Sequence, residues 1–551
     1  MPRFNVLVTD DVDPEGVALL RAEPGFVIDE RPTVPWRQLL DVIGDYDAIV
    51  GRSATQIPGE LLRRARRLQV IGRAGVGTDN IDIAEATALG IAVINAPAGN
   101  TVSVAELFFG SLIALVRHLP DAFSSMRSGR WDRTALLGNE LRGRSLGIIG
   151  LGRIGGEVAT RARAFGMHVS AYDPYVGADR FERLQVARVE SLDNLLVRSQ
   201  VVTIHTPLTP ETRGMIRARE LGLLPGDAII ANMARGGIID EAALIAELSR
   251  ERLRGAILDV FEKEPLAADH PLRAFPGVVL TPHLGASTAE GQRNVAVDVC
   301  ASVREALLSG ELSSAVNIDG GERVEWGDLR DAMLLARRSA AMARALLADR
   351  GARAVDQLTL RLSRDLIAAE KLLLAAAAIG VVEDVVEASN ARLNIINARA
   401  QAEQRGIVLA VAPIAATGQA YQMQVIVRGQ SNEIAIAGTA TPGATPRITR
   451  IGDFTVDVTP RHTMIVLTNA DVPGVIGRVG TLLGDAGVNI AEYHQSRTSQ
   501  GGNALAAITV DGAIDAELRA RLAASHDVRS VTVVNFADTE SNSNGARRPE
   551  A

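Results

Sequence analysis

The sequence predicts an α/β protein of alternating strands and helices, continued at its C-terminal side by two α+β units. Three observations predict it. Residues 145–173, SLGIIGLGRIGGEVATRARAFGMHVSAYD, run from a short apolar strand through a glycine-rich turn and an amphipathic helix to a second strand ending on an acid. Strand and helix patterns alternate through the first hundred residues and again from Val201 to Val260, as in an open, mostly parallel sheet. Beyond Asp319 the character changes, and a compact βαββ-like unit appears from His462.

The glycine turn carries the most specific chemistry. Gly150 allows a tight turn, Gly152 lets backbone N–H groups approach a pyrophosphate, and Gly155 lets the helix pack closely on the sheet. The pyrophosphate sits on the helix N-terminus, where unpaired N–H groups and the dipole favour an anion. Asp173 closes the second strand at about the ~20-residue spacing at which a carboxylate meets the adenosine ribose. A 2′-phosphate would be repelled there, so the motif predicts a doubly wound, Rossmann-type domain holding NAD rather than NADP.

A chain of 551 residues exceeds what one hydrophobic core organises. Lysine and arginine total 58 against 65 acids, a net charge of −7 with no basic tract, which argues against a nucleic-acid partner. Cys300 is the only cysteine, so no intrachain disulfide is available. The N-terminus MPRFNVLVTDD enters a strand almost at once, and uncharged runs such as 372–382 fall well short of the ~20 residues that span a bilayer. A cytoplasmic protein without a membrane partner is expected, and no metal-ligand cluster stands out.

In order, VLVTD, YDAIV, VIG and IAVIN read as strands, separated by helices near Pro14 to Arg21, from Pro58 and from Ile81. Asn100 to Arg117 begins with the capping-type residues Asn100, Thr101 and Ser103 and continues as a long apolar helix crossing to the next domain. The dinucleotide unit follows, with strands at Val201–His205, Ala228–Asn232 and Gly255–Val260. A helix from Thr288 to Leu308 and the strand-like SSAVNI return the chain to the first domain. This makes a substrate domain of residues 1–98 and 288–318, with a cofactor domain, 99–287, inserted in it. Residues 322–401, rich in alanine, leucine and arginine, read as helices, while YQMQVIV and EIAIAGTA alternate as strands. An intervening domain of 319–461, a regulatory unit of 462–537 and a disordered tail of 538–551 complete the division.

Three polar segments fall at predicted strand ends, where such sheets place their sites: NMARGGIIDE, LDVFEKEP and TPHLGAS. Hydride removal from a secondary alcohol needs a base for the hydroxyl proton and a cation for the substrate carboxylate. His283 suits the base and Arg235 the cation, through two parallel hydrogen bonds. Glu264 suits a partner that fixes the His283 tautomer and stabilises its imidazolium. Taken singly, His283 also reads as a loop histidine satisfied by backbone, Arg235 as a solvated turn, and Glu264 as one end of a surface ion pair.

Together with RAGVGTDNID (73–82), NTVSVAEL, GRWDR, YDP and HTPLTPETRGMI, these segments resemble the D-isomer-specific 2-hydroxyacid dehydrogenases over roughly Val50 to Ser287. The chain is most similar to the long branch that oxidises 3-phosphoglycerate. The resemblance implies a flavodoxin-like substrate domain and catalytic roles for Arg235, Glu264 and His283. It implies cofactor contacts at Gly150, Gly152, Arg153, Ile154, Gly155, Asp173, Thr206, Met233, Ala234, Arg235, Asp259, His283, Leu284, Gly285 and Ala286. It places Arg52, Ser53, Asn100 and Arg133 near a substrate phosphate, Arg133 from a second subunit, and Arg73 near the anionic substrate.

The unit from His462 resembles an ACT domain, ferredoxin-like, which pairs with a copy in another subunit and binds amino acids at the junction. Serine-regulated members contact the effector at the positions of Asn469, Asp471 and Asn489; Asn469 stands where a tyrosine or histidine is common. The implied function is NAD-dependent oxidation of 3-phosphoglycerate at the entry to L-serine synthesis by a homodimer or homotetramer, with serine as effector. A hydroxypyruvate or glyoxylate reductase and a non-catalytic NAD-sensing corepressor are the alternatives.

Overall fold

A computed structural model describes residues 3–32, 34–318, 326–352, 354–387, 392–415 and 420–536. The boundary expected at 319 and the tail expected at 538–551 lie outside them. Among the described residues, no single helix is long and apolar enough to cross a membrane.

The first sheet joins β1 (Phe4–Val8), β2 (Phe26–Glu30), β3 (Ala48–Gly51), β4 (Val70–Arg73) and β5 (Ala92–Asn95) in the parallel order β2-β1-β3-β4-β5. This is the flavodoxin-like order. β1, β3 and β4 read as nearly continuous apolar runs because helices bury both faces of a parallel sheet. On one face lie the helices Pro14–Arg21 and Ala289–Ser309, the latter burying Val295, Val299 and Val303 against the sheet. The segment SSAVNI forms no strand. It makes a single bridge, Ala315 to Ile94, and Asn317 takes over the backbone pairing through its side chain, accepting from Val93 N and donating to the Ile91 carbonyl.

The second sheet contains β6 (Ser145–Ile149), β7 (His168–Tyr172), β8 (Ala187–Arg188), β9 (Val201–Ile204), β10 (Ile229–Asn232), β11 (Gly255–Leu258) and β12 (Val278–Leu280). Its order, β12-β11-β10-β9-β6-β7-β8, is parallel throughout and reverses direction between β6 and β9. Ligands bind such sheets at that switch, outside the carboxyl ends of the strands. The helix Thr101–Val116 buries Val104, Phe108 and Leu112 in the core beneath. Its start differs from the sequence expectation. Asn100 occupies the cap position but makes no side-chain capping bond, and Ser103 Oγ meets Thr288 Oγ1 instead, at 2.7 Å.

The third sheet brings together β13 (Gln357–Leu362), β14 (Val408–Pro413), β15 (Gln422–Gly429), β16 (Asn432–Thr439), β17 (Arg447–Ile451) and β18 (Phe454–Val458) in the order β14-β13-β15-β16-β17-β18. The helices Trp326–Asp349 and Glu370–Glu387 pack against it. β13 corrects the reading of 322–401 as wholly helical. Leu358, Leu360 and Leu362 are buried at the strand period of two, which the alanine-rich surroundings mask. The segment Arg392–Asn397 then reaches back to the first domain. Asn394 donates to the Gly90 carbonyl at 2.6 Å, and Ile396 enters the core of the first sheet.

The fourth sheet is antiparallel: β19 (Thr463–Ala470), β20 (Ile490–Arg497), β21 (Asn503–Val510) and β22 (Val528–Asn535) in the order β20-β21-β19-β22. Two helices, Val475–Asp485 and Ala516–Ala523, complete a ferredoxin-like βαββαβ unit with its own apolar core.

Candidate active site at the strand ends of the cofactor sheet

Three successive strands end on the three polar segments. After β10, Asn232 Oδ1 accepts from Ala234 N at 3.0 Å and Nδ2 donates to the Arg235 carbonyl at 2.8 Å, folding the turn that presents Arg235. The loop after β11 passes so close that a Cβ on Gly236 would lie 1.8 Å from the Phe261 carbonyl oxygen. Only glycine fits there. The loop carries Glu264, whose Oε1 accepts from Phe261 N at 3.1 Å.

The loop after β12 presents His283, and Asp259 builds it. That carboxylate is 1% exposed and accepts from Leu284 N at 2.7 Å, Gly285 N at 2.8 Å and the Thr281 hydroxyl. His283 itself is held at φ 55° by its N–H to the Asp259 carbonyl, a left-handed conformation that non-glycine residues adopt at some cost. The result is one contact: His283 Nδ1 lies 2.8 Å from Glu264 Oε2. The ring of His283 is thus held by a carboxylate rather than by backbone, and both partners are exposed, 49% for His283 and 36% for Glu264, so Glu264 does sit in an exposed ion pair, with His283 as its partner.

Arg235 points across the cleft to the first domain. Its Nε donates to Asp79 Oδ2 at 3.0 Å and its Nη1 to the Ala234 carbonyl at 2.7 Å. Arg73, at the end of β4, donates Nη1 to the Ala74 carbonyl and keeps its Nε buried without a partner. Burial, then the nearby Arg52 and Arg235 charges, push Arg73 down to about 10. Arg52 lies in the loop after β3, which Asp10 shapes by accepting from Arg52 N and Thr55 N, both at 2.9 Å. Asn80 closes the same loop from the other side, donating to the Arg52 and Thr55 carbonyls. Ser53 is exposed beside Arg52, and Asn100 is buried with its Oδ1 unpartnered. Arg133 lies apart, on an exposed arm with Trp131 78% and Leu137 85% exposed.

The cofactor turn follows β6. Gly150 takes φ 92° against the His205 carbonyl, and a Cβ on Gly155 would lie 2.1 Å from the Gly150 oxygen, so the helix Arg153–Ala164 packs as glycine spacing requires. Gly152 faces open space and the helix has no side-chain cap. The positive end of the helix dipole faces the turn, where it favours an anion, and the turn fits a dinucleotide. Arg153 and the half-buried Ile154 open that helix. Asp173, at the end of β7, accepts from Leu151 N at 2.8 Å and Tyr175 N at 3.0 Å. Arg180, unremarked in the sequence, braces the turn by donating to the Leu151 and Gly152 carbonyls, both at 2.6 Å. Across the switch, Thr206 keeps a buried hydroxyl without a partner, Met233 is 5% exposed, and Ala234 and Ala286 are half-buried.

The three effector candidates do not meet within one chain. Asn469 ends β19, 1% exposed with its Oδ1 unpartnered, and Asp471 accepts from Arg497 at 3.1 Å and Gly501 N at 3.0 Å. Asn489 precedes β20 at the other end of the sheet, where it donates to Asp511. At ~3.3 Å per residue, the length of β19 sets them roughly 20 Å apart.

Asp10, Asp79, Asn80, Asn232 and Arg180 escaped the sequence reading. Asp79 and Asn80 stand inside RAGVGTDNID, so that motif could have drawn attention to them; Asp10 offered only an acid at a strand end.

Residues 109–285 match the family described as D-isomer specific 2-hydroxyacid dehydrogenase, NAD binding domain, and residues 463–527 match the ACT domain. The chain is 37% identical to the D-3-phosphoglycerate dehydrogenase of Synechocystis sp., over 92% of this chain and 90% of the relative. It is 35% identical to that of Bacillus subtilis, over 97% of this chain and 100% of the relative. Among solved structures, a glyoxylate reductase from Paecilomyes thermophila covers 57% of this chain and 99% of its own at 30% identity and TM-score 0.53. The chain therefore belongs to the D-isomer-specific 2-hydroxyacid dehydrogenase family, in its NAD-dependent D-3-phosphoglycerate dehydrogenase branch with a C-terminal ACT domain.

Proposed function

We propose that this chain oxidises 3-phospho-D-glycerate to 3-phosphohydroxypyruvate with NAD, the first step of L-serine synthesis. One observation carries the choice of substrate: Arg52 and Arg235 lie close enough to the buried Arg73 for their charges to add to the effect of burial on it, so three guanidiniums share one cleft. Three guanidiniums suit a substrate with both a carboxylate and a phosphate. The His283–Glu264 pair supports an enzyme over a cofactor-sensing corepressor, because sensing needs no base.

In this reading, Arg235 holds the carboxylate and polarises the C2 oxygen. His283 Nε2 takes the hydroxyl proton while Glu264, on Nδ1, stabilises the imidazolium. Bound NAD supplies the hydride acceptor at its nicotinamide C4. The turn at Gly152 and the Asp173 carboxylate would hold its pyrophosphate and ribose, and Thr206, Met233, Ala234, Asp259 and the loop His283 to Ala286 would complete its site. Arg52, Ser53 and Asn100 take the phosphate.

The division into residues 1–98 with 288–318, 99–287, 319–461 and 462–537 is supported by the four separate sheets. Exposed Phe123, Met126, Trp131 and Leu137 support an isologous dimer through the cofactor domain, which would bring Arg133 to the partner's cleft. The separation of Asn489 from Asn469 and Asp471 suits a serine site at a junction between two ACT domains. A lone, buried Cys300 fits the cytoplasm.

The test is a side-by-side comparison of 3-phosphoglycerate and D-glycerate as substrates with NAD. A preference for the phosphorylated acid of about 100-fold or more in kcat/KM supports the reading. Equal rates, or faster reduction of glyoxylate or hydroxypyruvate, would move the chain to the reductase alternative.

A further inference from the structure

We infer that Asp79 is a positioning residue for substrate recognition: reaching across the cleft from the first domain, it fixes the guanidinium plane of Arg235 so that the Nη2 edge is presented to the substrate carboxylate. The inference rests on the reading of Arg235 as the carboxylate-binding cation.

Arg235 makes two side-chain hydrogen bonds within the chain. Nη1 donates to its neighbour, the Ala234 carbonyl, and Nε donates to Asp79 Oδ2 at 3.0 Å. The first comes from Arg235's own turn, whereas the second spans 156 residues and joins the two domains. Together they define the plane of the group and leave Nη2 without a protein acceptor. The guanidinium occupies the space beside Gly77 that a side chain would take: a Cβ there would come 2.0 Å from Nη2 and 2.8 Å from Asp79 Oδ2. Any larger residue would displace the guanidinium from the loop.

Asp79 also lies within electrostatic reach of Arg73 and opposes the mutual repulsion of Arg73 and Arg235. Its side chain is 69% exposed against 25% for Arg235. An exposed ion pair contributes little to folding, so the value of this one lies in orientation. A long, flexible arginine gains affinity for a carboxylate when its fork is held in place beforehand. Because the acid and the arginine belong to different domains, the cation is aligned only while the cleft is closed to this distance.

The test uses the full chain with Asp79→Asn and Asp79→Leu. The probe is oxalate, a small dicarboxylate without phosphate, titrated into the enzyme–NADH complex and read by NADH fluorescence. Asparagine keeps an oxygen acceptor for Nε–H; leucine does not. The expected result is an oxalate affinity about tenfold weaker in the leucine variant and within about threefold of the parent in the asparagine variant, with NADH affinity within about twofold throughout. Equal oxalate affinity in all three proteins would overturn the inference. So would equal loss in both variants, or a parallel loss of NADH binding, which would mark a merely structural role. Oxalate carries no phosphate, so failure of the parent to turn over 3-phosphoglycerate would sink the substrate reading and leave this series interpretable.

Discussion

His283 Nδ1 stands 2.8 Å from Glu264 Oε2, and the two residues come from loops after adjacent parallel strands. With Nδ1 so engaged, Nε2 is the nitrogen left for the substrate hydroxyl. His283→Ala is expected to lower kcat by about 10³-fold or more with NADH affinity nearly unchanged, and Glu264→Gln by about 10- to 100-fold. Single-turnover oxidation with NADH titration checks both. Turnover in His283→Ala close to the parent's would remove the assigned base.

In the proposed reading Arg52 binds the substrate phosphate and takes no part at the reacting carbon. Arg52→Ala is expected to cut kcat/KM for 3-phosphoglycerate by about 100-fold, or ~2.7 kcal/mol, while reduction of unphosphorylated hydroxypyruvate stays within about threefold. Steady-state kinetics on the two substrates decide it. A uniform loss on both would place Arg52 elsewhere than on the phosphate.

Asp173 accepts the Leu151 N–H at 2.8 Å in the cofactor turn, and in the proposed reading it also binds the adenosine ribose. Asp173→Ala should therefore raise the KM for NAD by about tenfold or more and shrink the discrimination against NADP. An unchanged NAD to NADP ratio would contradict the assignment.

Asp471 is engaged by Arg497 and Gly501 within its own chain, and in the proposed reading an effector amino acid would compete with both. Millimolar serine is expected to inhibit the parent, and Asp471→Ala to abolish that inhibition with basal turnover unchanged. Inhibition curves that coincide, or a parent indifferent to serine, would detach the ACT domain from serine.

His205 carries the clearest pH signature. Burial holds it down to about 3 against an ordinary 6.5, with Nδ1 unpartnered and Nε2 3.0 Å from Thr203 Oγ1. Between those values the unfolded chain binds a proton that the folded chain does not. Stability therefore falls as pH drops below about 6.5, by at most ~1.4 kcal/mol per unit from this residue. His205→Gln should flatten the fall in denaturant midpoint between pH 6.5 and 4.5. Parallel falls in parent and variant would show that His205 is charged, or solvated, in the folded state.

Much of the cofactor half was legible because its signals are local. The strand, glycine turn, helix and acid from Ser145 to Asp173 occupy consecutive positions, and strand ends can be read from apolar runs. What escaped depends on contacts distant in sequence. Nothing near Asp79 announces Arg235, since they meet only when two sheets assemble, and nothing near Asp10 announces the loop at Arg52, since they meet only when β1 pairs with β3. β13 was hidden for another reason: QLTLRL alternates for only six residues between long alanine-rich helices, and composition outweighed period there. SSAVNI failed as a strand because Asn317 satisfies the neighbouring backbone with its side chain, which apolar alternation does not reveal.

The central claim is that the hydrogen on C2 of 3-phosphoglycerate leaves as hydride to the nicotinamide while His283 takes the hydroxyl proton. Turnover of 3-phosphoglycerate deuterated at C2, followed by mass spectrometry of the reduced cofactor, tests it most directly. The account predicts one deuterium in the NADH formed. Unlabelled NADH, or none formed from this substrate, would contradict it.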